Sequence, residues 1–166
     1  VMHGEELAQT YSMTVFRHAG VYLGLVSIYN PKTGRVHCEL ARSPDTVKWT
    51  RIQPGTPLIP TSSLPGDYDW GCVYAAAPVV EQHEIRLYYG ASDIGHEDKR
   101  KGFLALATLR PDGFAGYEPE APDQQATVVT RPITCTGKHL TLTADAQGGS
   151  ITVSIVDEDG VMRLES

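Results

Sequence analysis

The chain of 166 residues carries 14 Lys and Arg against 20 Asp and Glu, a formal net charge of −6. Hydrophobic residues make up 41% and charged residues 20%, a globular composition that excludes a disordered or fibrous chain. The acidic balance argues against a basic nucleic-acid-binding face, and no apolar run reaches the ~18 residues of a membrane-spanning helix.

In chain order, residues 4–10 alone have helical character, and the stretch is short. Short β-rich runs follow at 11–16, 21–29, 35–42 and 49–52. Asn30-Pro31-Lys32-Thr33-Gly34 is a hairpin loop with Pro early and Gly last. A second set of runs covers 72–80, 85–90 and 103–109, with a weak one near Tyr117. Arg110-Pro111-Asp112-Gly113 is a turn in which Pro presets φ and Gly accepts a positive one. Residues 118–125, rich in Pro and acids, read as a linker. Runs at 126–133, 139–144 and 150–156 follow, two of them alternating apolar and polar residues. Gln147-Gly148-Gly149 turns between the last two. The fold class is all-β.

Part of the chain repeats. Residues 40–45, Leu-Ala-Arg-Ser-Pro-Asp, resemble 106–112, Leu-Ala-Thr-Leu-Arg-Pro-Asp, and an aromatic follows each, Trp49 and Phe114. Each unit is a strand, a polar loop, a strand, an Asp-bearing turn and an aromatic strand, preceded by an inner strand. Two such four-stranded meanders suggest two β-propeller blades over 1–117, followed by the 118–125 linker and a partial β-sandwich over 126–166. Two blades cannot close a ring of typically ~4–8. The chain is therefore expected to belong to a larger propeller with further blades, or to form a homo-oligomer.

Side-chain chemistry narrows the field. Cys38, Cys72 and Cys135 lack metal-ligand or CxxC spacing and read as small buried hydrophobes. The six histidines are scattered, so neither a metal nor a cofactor is expected. Nucleophile-elbow, zinc-protease, P-loop and Rossmann patterns are absent from the sequence. Asp157-Glu158-Asp159-Gly160 reads as a turn without the remaining calcium-ligand pattern.

The run Asp69-Trp70-Gly71-Cys72-Val73-Tyr74, then residues 84–93 with Gly95-His96, and the closing 106–117 resemble the five-bladed β-propeller glycosidases, similar to the invertase-like family 32 glycoside hydrolases. Ser43-Pro44-Asp45 with Trp49 resembles a turn common in such propellers. Thr130-Arg131-Pro132-Ile133 with Gly137 and Gly148-Gly149-Ser150 resembles the opening of the sandwich that follows them. The resemblance implies carbohydrate as partner and O-glycosyl hydrolysis by two carboxylates. It also implies that those carboxylates sit mainly on earlier blades, so this stretch by itself is expected to turn over no glycoside.

Propeller topology sends loops 66–71 and 92–102 to one funnel-facing rim. The expected substrate-binding residues there are Asp69, Trp70, Asp93, His96 and Arg100. Asp69 either enters the funnel or caps backbone amides. Asp93 and His96 either hold a sugar hydroxyl or belong to a solvated loop. Trp70 and Tyr74 either stack on a sugar ring or pack within the blade. One of Tyr88 and Tyr89 is expected in the core, and Glu39 and His37 read as blade-surface or funnel-wall residues. The rival reading is a non-catalytic carbohydrate-binding or assembly module.

Overall fold

The structure, a computed structural model, describes residues 9–97, 99–121, 123–134, 136, 137 and 139–165. It is all-β, with ten strands and no helix among the described residues. Two compact units divide it, Val1–Ala115 and Gly116–Ser166.

The first unit opens on β1 (Gln9–His18), β2 (Val21–Asn30), β3 (Arg35–Ser43) and β4 (Thr50–Arg51), each antiparallel to the one before. Of the stretch with helical character, residues 4–8 lie outside the described residues, and Gln9 and Thr10 open β1. β1 and β2 join through Ala19 and Gly20, both at positive φ, the two-residue geometry that matches strand twist. A β-bulge interrupts their register between Thr10 and Ser12, leaving Tyr11 as the extra residue.

A second meander follows: β5 (Cys72–Ala75), β6 (Val79–Val80), β7 (Ile85–Ser92) and β8 (Gly102–Leu109). β5, β6 and β8 all pair antiparallel with β7, so the expected 72–80 run is broken in two. Residues 115–119 around Tyr117 form no strand. One parallel pair, Val36↔Cys72, ties β3 to β5 and makes one curled open sheet of both meanders.

The main core lies between the meanders. Leu23, Leu25, Cys38 and Leu40 of the first pack with Val73, Ile85, Leu87 and Tyr89 of the second. Alternation explains this selection, since residues two apart on a strand share a face. A smaller cluster, Val26, Ile28 and Ala41, fills the opposite face of the first meander under Met13 and Trp49. The Ser43–Trp49 turn sets that tryptophan. Asp45 Oδ1 accepts the Val47 and Lys48 amides at 2.9 and 2.8 Å, and Ser43 Oγ accepts the Thr46 amide at 2.9 Å. Trp49 Nε1 then donates to the Thr46 carbonyl at 2.9 Å. These amide bonds, Lys48 first, hold the Asp45 carboxyl below its usual range.

The second unit contains β9 (Ser154–Val156) paired with β10 (Met162–Glu165). Asp157 builds the turn between them, accepting the Val161 amide at 2.8 Å and the Arg163 guanidinium. Residues 126–133 and 139–144 form no ladder, in spite of the alternation of Leu140 and Leu142. An alternating run becomes a strand only beside a partner, and both leucines are exposed, at 62% and 63%.

Candidate functional site

Three loops meet at one end of the first unit. The Gly71 amide donates to the Ser92 carbonyl at 2.8 Å, which joins the 66–71 loop to the end of β7. The His96 amide donates to the Gly34 carbonyl at 2.7 Å, which joins the 93–101 loop to the β2–β3 turn. Glycines permit both approaches. A methyl group on Gly95 would lie 3.0 Å from the Gly34 carbonyl oxygen. Gly34 itself stands at φ +66°, where a side chain is strained.

His96 is the hub of the resulting cluster. Tyr11 stacks on Tyr29 with ring centroids 4.7 Å apart, and His96 stands edge-on to Tyr11 at 4.9 Å. The bulge at Tyr11 turns that ring onto its neighbours. The Tyr74 hydroxyl lies 2.8 Å from His96 Nδ1, and Arg100 Nη1 lies 3.2 Å from the same nitrogen. Burial pushes the Tyr74 phenol up, so it keeps its proton and donates. With two donors facing Nδ1, the neutral imidazole carries its hydrogen on Nε2. Arg100 also donates to the His96 carbonyl. Tyr29 donates to Glu97 Oε1 at 2.6 Å, and this bond, then burial, pushes the Tyr29 phenol up to about 12.

The other expected site residues lie apart from that hub. Asp69 is buried, at 8% exposure, and accepts the Tyr89 hydroxyl on Oδ2 at 3.1 Å. Tyr89 belongs to the main core, whereas Tyr74 packs with Tyr29, Val36 and Cys72. Tyr74 pairs with Gly90 and Ala75 with Tyr89, so Tyr74 and Tyr89 point to opposite faces of the second meander. His96 and Arg100 are brought together on the Tyr74 face, and Asp69 serves the Tyr89 face. Asp93 accepts the Lys101 amide at 2.9 Å and closes its own loop. Trp70 lies under the Arg35 guanidinium, 4.8 Å from the ring centroid, and its carbonyl accepts Arg35 Nε at 2.8 Å.

Glu39 is fully buried, where a blade-surface or funnel-wall position is expected for it. Arg51 grips it from two nitrogens, at 2.6 and 2.5 Å, while His37 and the Gly55 amide bond Oε1 at 2.8 and 3.0 Å. Burial alone would raise this carboxyl. The His37, Arg51 and Gly55 bonds outweigh it and hold Glu39 below the usual range. Cys38 and Cys72 are buried free thiols, and burial pushes Cys38 up to about 12. Cys135 lies outside the described residues.

By sequence, Glu97 falls on the same rim as His96 and Arg100 without counting among the binding residues, and Tyr11 and Tyr29 are left out. A signal for these two tyrosines exists in the two-residue turn at 19 and 20. It sets the hairpin register that brings the start of β1 beside the end of β2. Glu97 lies in the same mixed charge run as the expected Arg100, and that run does not single it out.

No model of a known family matches the chain, and no curated protein matches it. Two solved structures share its fold. One, described as a BT0996 RGII complex, has a TM-score of 0.53 and 20% identity, covering 68% of this chain and 36% of that one. The other, described as a glycoside hydrolase, has a TM-score of 0.53 and 19% identity at the same coverage. The chain thus spans 36% of the length of the solved chains that it matches.

Proposed function

We propose that this chain supplies a carbohydrate-binding rim to a glycosidase-like β-propeller, with its two meanders as blades and residues 126–166 as the start of a sandwich. The observation that carries this reading is the His96 cluster. It combines flat phenol and imidazole faces with fixed donors and acceptors at a loop end. Sugars require both, since ring C–H groups pack on aromatic faces and hydroxyls need placed polar partners. The fold shared with a glycoside hydrolase supports the same direction. Arg100 and the His96 Nε2–H are the donors in this reading, and Glu97 is the acceptor. Asp93 and Trp70 stand outside this cluster, and Asp69, buried against Tyr89, supports its own loop in this reading.

The disposition of carboxylates favours binding over turnover by this chain. Glycoside hydrolysis needs two carboxyl groups flanking one bond. Here Glu39 is clamped by Arg51, Asp69 faces Tyr89, Asp93 caps an amide and Glu97 accepts from Tyr29. Hydrolysis then falls to residues of other blades, and the alternative is a non-catalytic carbohydrate-binding or assembly module. Calorimetric titration with an oligosaccharide panel, including RGII fragments, tests it. His96→Ala should weaken binding about tenfold, the ~1.4 kcal/mol expected for one lost buried hydrogen-bond partner. Glu158→Ala, in the second unit, should leave binding unchanged. Absence of binding to every sugar, or equal losses in both variants, would overturn the reading.

A further inference from the structure

Arg100 is fixed in the His96 cluster through one nitrogen. Its Nη1 donates to the His96 carbonyl and lies 3.2 Å from His96 Nδ1. The other edge of the guanidinium, Nε with Nη2, makes no bond among the described residues. That edge can grip both oxygens of one carboxylate. Elsewhere in the chain it is occupied. Arg51 turns Nε and Nη2 to Glu39, Arg86 turns them to Glu84, and Arg163 turns them to Asp157. Arg35 turns them to the Trp70 carbonyl and to Thr61 and Ser62.

The charge of Arg100 is also uncompensated. Arg51, Arg86, Arg110 and Arg163 each pair with a carboxylate, and among the described residues none pairs with Arg100. The nearby carboxylates in its loop have other partners. Glu97 accepts the Tyr29 hydroxyl at 2.6 Å, and Asp93 accepts the Lys101 amide at 2.9 Å. Nη1 itself meets a carbonyl and an imidazole, neither of which carries a negative charge.

We infer that this rim takes an acidic sugar, a uronate whose carboxylate forks onto Nε and Nη2 of Arg100, and that Arg100 sets the preference for it. The inference rests on the carbohydrate reading of the His96 cluster. Glu97 orients the ligand, since it accepts a ring hydroxyl and repels the carboxylate, which leaves the acidic group to Arg100. The net charge of −6 gives the chain no general attraction for an anion, so recognition falls to the fork.

Calorimetric titration with galacturonate and glucuronate trimers, and with their methyl esters, tests it. The ester keeps the ring and its hydroxyls and removes the charge. In at least one of the two series the free acid should bind about tenfold or more tightly than its ester, the gain expected from a charged hydrogen bond. Arg100→Gln should abolish that difference. Arg100→Lys, which keeps the charge and loses the fork, should retain only part of it. Lys99→Gln, which removes an equal charge one residue away, should retain it in full. Both positions are exposed, so melting temperatures should stay at the wild-type value. Acid and ester bound equally, or an acid preference that survives Arg100→Gln, would overturn this inference and leave the carbohydrate reading standing. Polyglutamate of matched charge bound as tightly as the uronate would overturn it too, because the rim would then select charge and not a sugar. A chain that binds neither acid, ester nor any neutral oligosaccharide would overturn both.

Discussion

Gly71 and Ile94 approach so closely that a methyl group on the glycine would lie 1.8 Å from the isoleucine carbonyl oxygen. That oxygen belongs to backbone, so no side-chain rotation relieves the clash. Gly71→Ala should therefore cost more than about 3 kcal/mol, the upper end of ordinary overpacking. Gly102, at the start of β8, has nothing within 4 Å of an added methyl group. Gly102→Ala should be neutral or stabilising by up to ~1 kcal/mol. Denaturant unfolding of the two variants checks the contrast.

The Glu39–Arg51 pair is buried, with side-chain exposures of 0% and 7%. Removing one partner leaves the other charged and unpaired, which typically costs about 3–5 kcal/mol. Glu39→Leu and Arg51→Met should each destabilise by that order. The double variant should be more stable than either single one, because apolar groups then fill the site together. A double-mutant cycle by chemical unfolding measures this coupling.

Stability should fall on acidification. Glu39 and Asp45 are both held below their usual carboxyl ranges in the folded chain. A depressed carboxyl contributes stability above its unfolded value, ~4.3 for Glu and ~3.9 for Asp, and loses it as pH falls through the folded value. Melting temperature should therefore drop steadily below about pH 4. In Asp45→Asn the drop should be shallower.

At the alkaline end the sign reverses. The Tyr29 phenol is raised to about 12, above its ordinary 10. The folded chain holds that proton while the unfolded chain loses it, so this contribution is present below pH ~10 and fades as pH rises through about 12. Ultraviolet titration of tyrosinate should show a late-ionising phenol. Glu97→Gln should bring it to lower pH, because the carboxylate acceptor is the first cause of the shift.

Strand placement was legible where turns were strong. The Asn30–Gly34 loop and the Arg110–Gly113 turn bound elements that match the expected runs closely, β2 and β3 around the first and β8 before the second. Tyr89 is in the core and Tyr88 outside it, as an interior strand requires. The break between β5 and β6 falls on Ala76, Ala77 and Pro78, a breaker signal inside the 72–80 run that the expectation of one continuous strand passes over. In the second unit, alternation at Leu140 and Leu142 suggested strands, but alternation describes a face and cannot supply a partner. The site was legible as a pair of loops and not as side-chain directions. Which face Asp69 or His96 serves depends on Tyr89 and Tyr74, one residue apart in strand parity.

The single Val36↔Cys72 pair has a consequence for the order of folding. Antiparallel neighbours such as β1 and β2 close over a two-residue turn, so their ladders zip with little loss of chain entropy. Joining the meanders closes a segment of dozens of residues for one pair and the Val36 amide bond to Gly71 at 3.0 Å. Each hairpin should accordingly form early, and the seam between them should form late, held by apolar contact more than by backbone bonds. Native-state hydrogen exchange would then find the Val36 amide opening at lower free energy than the central amides of β2, so the weakest seam of the sheet lies at the site's edge.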